Sequence, residues 1–132
     1  MIRRTLVCVA LLLMAAGSLM AHHSLAGVYD MKKDVTVTGS VEKLQFVNPH
    51  GSLTLSVKGT DGKATSWVMT LGSATSLAQR GVGKTGPNAL HVGDEITVHF
   101  LPALNGSPLG FLKSVKYPDG HVIAISAGSP TD

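Results

Sequence analysis

Apolar and polar residues alternate along most of the chain after Asp34, a two-residue period that predicts strands. In DVTVTGSV, Val35, Val37 and Val41 fall on one face with Gly39 between them. The phase then slips. Leu44 and Phe46 are apolar at even positions, while Lys43 stands where a core residue is expected. One extra residue in a strand produces such a slip, so a bulge between Gly39 and Lys43 is expected to bend a long first strand. GSLTLSVKG continues the alternation with Leu53, Leu55 and Val57 facing inward, and TDGK supplies a turn. ATSWVMTL gives a third strand with Trp67, Met69 and Leu71 on one face.

From Gly72 the pattern changes. GSATSLAQRG offers a serine cap, good helix formers and a stopping Gly81, which predicts one short helix. The polar loop VGKTGPNALHVGD leads to EITVHFLP, where Ile96, Val98 and Phe100 face in and Thr97 and His99 face out. A loop ALNGSPLG, a strand through FLKSVKYP, a DG turn and a short HVIAI follow, and SAGSPTD reads as a frayed tail. The expected fold class is therefore all-β with one short helix, a small OB-like barrel of five to six strands. A small open sandwich is the alternative, because strand order alone does not fix closure. The expected core is Val35, Val37, Leu53, Leu55, Trp67, Met69, Ile96, Val98 and Phe100.

The first residues change how composition is read. Arg3 and Arg4 make a positive start, TLVCVALLLMAAG supplies a short apolar run, and LMA offers a small residue at a cleavage position. Residues 1–21 are thus expected to be a signal peptide for the general secretory route, with a periplasmic destination. The run is short for an uncleaved anchor, which needs roughly 20 apolar residues. Residues 22–132 are expected to form a single OB-like barrel domain with a flexible N-terminal segment and a C-terminal tail. Removing Arg3 and Arg4 from the eleven basic residues leaves nine facing eight acidic ones, so the net charge of +3 falls to near +1. That balance, with basic residues scattered, gives no footprint for nucleic acid. The single cysteine, Cys8, departs with the signal, leaving neither thiol nor disulfide in an exported chain with no membrane segment.

Several short motifs go beyond strand and turn chemistry. HHS directly after the signal, GSV in the first strand, FVNPH at its end, the tryptophan of the third strand, LAQRGV, VGDEITV and PDG together resemble a family of small exported bacterial proteins catalogued as a domain of unknown function. The resemblance spans essentially the whole chain after residue 21. It implies export in a Gram-negative bacterium and no particular activity.

Cleavage after Ala21 would create a chain beginning His22-His23-Ser24. A free amine and an imidazole on one residue can chelate a metal ion, and a second histidine adds a further nitrogen. All-nitrogen ligation favours Cu(II) on the divalent affinity series. His50, in NPHG between the first two strands, lies in one of the two loops that flank the ligand face of an OB barrel. The metal candidates are accordingly His22, His23 and His50, with copper as the expected cofactor if one binds. Asn48-Pro49 and Gly51 equally suit a plain turn. His91, His99 and His121 show no ligand-like spacing. Trp67 and Phe46 are expected in the core rather than as a stacking platform. Ser24 beside His23 lacks an orienting acid, and Glu42 and Glu95 have no paired carboxylate, so the chain reads as a non-enzyme. The alternative to metal binding is a periplasmic scaffold or interaction domain. It would hold a protein, glycan or envelope component through the loops Val47 to Gly51 and Pro102 to Gly110. No feature of the sequence sets the oligomeric state.

Overall fold

A computed structural model describes residues 24–126, so the signal segment, His22, His23 and the end of the tail lie outside the described residues. The elements are α1 (Ser24–Val28), β1 (Val35–Gln45), β2 (Ser52–Lys58), β3 (Ala64–Thr70), α2 (Ala74–Gln79), β4 (Val82–Gly83), β5 (Asn88–Ala89), β6 (Glu95–Pro102), β7 (Leu109–Lys116) and β8 (Val122–Ala124). The main sheet runs β3-β2-β1-β6-β7-β8, and β3 also pairs in parallel with β7. That last ladder, Val68 to Thr70 against Leu109 to Phe111, closes five strands into a barrel and leaves β8 outside on β7. The strand order and the helix between the third and fourth barrel strands are those of an OB-like barrel rather than an open sandwich.

The long first strand makes this closure possible. Its first half pairs with β6, from Val35 opposite Phe100 to Ser40 opposite Glu95, and its second half pairs with β2. The register shifts between Val41 and Lys43, which makes Glu42 the extra residue of the expected bulge. Before it Val41 faces the core, and after it Leu44 does, so the bulge restores the inward phase that Lys43 would have broken. Two glycines sit where strands come closest. A Cβ at Gly39 would lie 2.6 Å from the Ser56 carbonyl oxygen. At Gly110, in the β3–β7 seam, it would collide with the Phe100 ring and lie 2.9 Å from Met69 Sδ.

The barrel is filled by Val41, Leu53, Leu55, Met69, Leu71, Leu77, Val82, Leu90, Ile96, Val98, Phe100, Leu112, Val115 and Ile125. Of the residues expected there, Leu53, Leu55, Met69, Ile96, Val98 and Phe100 are fully enclosed. Val35, Val37 and Trp67 are only partly covered and pack on its margin. The Trp67 ring tilts against Phe100 at 5.2 Å between centroids. Its indole is too large to fit among the aliphatic side chains of so small a barrel and lies at the rim instead.

α2 is capped as its sequence requires, with Ser73 Oγ accepting from Ser76 N at 3.1 Å, and Leu77 plugs the barrel end. The polar stretch after it is more ordered than its composition suggests. β4 and β5 form a two-residue parallel ladder, and Leu90 N donates to Gly83 O at 2.9 Å. Tyr29 bridges to Ala103 and is buried, which ties the segment after α1 to the residues following β6.

Candidate functional site

The loop from Phe46 to Gly51 carries His50. Its backbone is held by the start of α2, with Gly51 N donating to Gly72 O and Ala74 N to Val47 O. His50 itself is exposed, and its ring hydrogen-bonds no described residue. Among the described residues no three His, Cys, Asp or Glu side chains come together as a metal-holding group. A site using His50 would therefore depend on His22 and His23, which lie outside the described residues.

The other histidines are kept apart by the fold. His91 Nδ1 is 3.6 Å from Asp94, and His99 Nε2 is 3.5 Å from Asp34, which also receives Lys113 Nζ at 3.0 Å. His121 faces Asp119 through Nδ1 and Asn88 Oδ1 through Nε2, the latter at 3.2 Å. Each ring thus has its own carboxylate at a different place on the barrel. The spacings Asp-x-His at 119–121 and His-x-x-Asp at 91–94 were the available sequence signals for two of these pairs.

The His121 cluster is the most connected. Its ring stacks on Tyr117 at 4.3 Å and 5°. Asn88 Nδ2 donates to Arg80 O, which fixes the amide so that its oxygen faces His121. Tyr117 donates to Asn88 O at 2.8 Å. Burial of the phenol, together with the nearby Asp94 carboxylate, pushes Tyr117 up to about 12. The His121 backbone N–H and ring hold the Asp119 carboxyl below the usual carboxylate range. This network pins the β7–β8 turn onto β5. Its members bond to and stack on one another across the join between elements.

The outer surface of the barrel is rich in hydroxyls. Thr36, Thr38 and Ser40 alternate outward on β1, as do Thr54 and Ser56 on β2 and Ser66 on β3. Thr38 and Thr97 hydroxyls meet at 2.8 Å across β1 and β6. Phe46 and Trp67 both pack toward the core. On the face where OB barrels stack bases or sugars the described residues present these hydroxyls with the Glu42 carboxylate among them and no aromatic platform.

Exposed apolar side chains gather elsewhere, around the loop Pro102 to Gly110. Leu104 is 57% exposed, Val28 42%, Met31 40% and Val68 38%. Their segments are stitched together by backbone bonds: Leu104 N to Val28 O, Asp30 N to Pro102 O, and Val68 N to Pro108 O. Asn105 Oδ1 accepts from Ser107 N and Oγ, which shapes the loop tip.

Residues 9–113 match the model of a protein family described as a family of unknown function, DUF6152. No curated protein and no solved structure matches the chain.

Proposed function

This chain belongs to DUF6152, a family of unknown function, and from that premise we propose that it is an exported, non-enzymatic binding module that engages a protein or envelope component through the loop Pro102 to Gly110. The observation that supports this reading is the gathering of Val28, Met31, Val68 and Leu104, all exposed, on segments bonded to that loop. Scattered single apolar residues need no explanation, but several exposed ones carried on adjoining segments do, because their hydration is unfavourable unless a partner covers them. The basic residues, scattered along the chain rather than clustered, argue against nucleic acid, which demands cations along a backbone.

Export is carried by residues 1–21, and the family match begins inside their apolar run. Intact mass of the protein recovered from the periplasm gives a chain beginning at His22. A photo-crosslinking residue at position 104, introduced in the exporting cell, yields a discrete adduct, while one at exposed position 36 does not. Equal adducts from both positions, or none from 104, reject the loop as the contact surface.

A second reading is that the chain holds Cu(II). It is supported by His50, exposed and hydrogen-bonded to no described residue, in a loop held against α2. The His22 amine and imidazole would supply the chelate, completed by His23 or His50. Copper titration of a chain beginning at His22, against one retaining Met20-Ala21 ahead of it, decides this. Equal affinity rules out the terminal amine as a ligand.

A further inference from the structure

The bulge in β1 does more than bend the strand. Glu42, Lys43 and Leu44 form one wall of a groove of about 350 Å³, with Lys84, Leu90, His91 and Val92 opposite. Small-molecule sites typically run from about 300 to 1,000 Å³, so the groove suits a compact ligand. It lies at the end of β1 remote from the loop Pro102 to Gly110, since that loop adjoins the start of the strand.

The groove has an apolar floor and a basic rim. Leu90 is buried, Leu44 is half-buried and Val92 is 69% exposed, the most exposed large apolar residue among those described. The facing turn is fixed rather than loose: Gly93 N donates to Val41 O, Val41 N to Asp94 O, and Asp94 N to His91 O.

The charges do not cancel. Glu42 accepts from Ser66 Oγ at 2.9 Å, which draws its carboxylate over β2 toward β3. Asp94 accepts from His91 N at 2.8 Å and faces the His91 ring. Lys43 and Lys84 have no ion-pair partner among the described residues. Two ammonium groups therefore border an apolar floor against one lining carboxylate, Glu42, which the Ser66 hydroxyl draws toward β3.

We propose that this groove binds a short aliphatic carboxylate, its chain against Leu44, Leu90 and Val92 and its head between Lys43 and Lys84. Burial of the chain supplies most of the affinity, because the apolar contact covers Val92. The lysines, being exposed, contribute selectivity for an anion rather than strong attraction.

The probe is octanoate, compared with octan-1-ol, in an amide-resolved NMR titration of the full exported chain. Saturable shifts confined to residues 41–44, 84 and 90–93 are expected with octanoate. Affinity for octan-1-ol is expected to be about ten-fold weaker, as is that of the Lys43→Gln/Lys84→Gln variant for octanoate, the sum of two weak ion pairs. Both substitutions lie at exposed positions and leave the barrel intact, which the unchanged amide spectrum elsewhere verifies. Val92→Asp, also at the surface, removes binding of both probes. Shifts absent or scattered over the barrel, equal affinity for octanoate and octan-1-ol, or full affinity in the double lysine variant each overturn the proposal.

Discussion

The Tyr29 hydroxyl lies 2.8 Å from Thr70 Oγ1, a hydrogen bond across 41 residues that fastens the N-terminal segment to the outside of the β3–β7 seam. The ring also tilts against Phe111 at 5.7 Å. Tyr29 thus reinforces the ladder that closes the barrel. Tyr29→Phe is expected to cost about 1 kcal/mol of unfolding free energy by denaturant titration, the worth of one hydrogen bond. Tyr29→Ala adds the loss of the buried ring and is expected to cost about 3 kcal/mol or more. Amide exchange at Val28 and Leu104 accelerates in both, and unaltered exchange there removes Tyr29 as the fastening.

Gly110 tests the seam from the inside. Gly110→Ala places a methyl group against Phe100 and Met69, both fully buried and unable to give way. The expected cost is about 1–3 kcal/mol of overpacking. Gly27→Ala is the control, since a Cβ there meets nothing within 4 Å in α1. It is expected to leave stability unchanged or raise it by up to about 1 kcal/mol through helix propensity.

Alkaline pH should release the β7–β8 turn. Burial and the Asp94 carboxylate both disfavour the Tyr117 phenolate, so its folded value, about 12, stands above the unfolded value of about 10. The stabilisation is complete below about pH 10 and is lost as pH rises toward 12. Spectrophotometric titration is expected to show a late tyrosinate component that vanishes in Tyr117→Phe. An unchanged titration in that variant would reject Tyr117 as the source of the late component.

Trp67 gives a reading of the barrel margin. Half-buried beside Phe100, its indole is expected to be quenched by iodide less than free tryptophan but more than an enclosed one. Phe100→Ala removes its neighbour, costs about 3–5 kcal/mol and raises that quenching. Quenching equal to that of the free amino acid would contradict the packing.

Local pattern carried the barrel far. The alternation of Val35, Val37 and Val41 followed by Leu44 and Phe46 already requires a two-against-one mismatch, because side chains in a strand switch faces at every residue. The structure finds it at Glu42. Ser73 and Gly81 likewise mark the ends of α2 through the backbone groups they satisfy or the angle they permit. The candidate ligand His50 was legible as a loop residue for the same local reason.

What sequence could not supply is partnership between distant segments. Closure depends on Val68 meeting Leu109, a parallel pairing whose only local trace is the missing side chain at Gly110. The seating of Tyr29 on Thr70, the approach of His99 to Asp34 and the groove between the β1 bulge and Val92 all join segments that carry no mutual signal along the chain. Periodicity determines which way each side chain faces. Only the closed barrel, by bringing its strand ends and turns to fixed places, decides what each side chain meets.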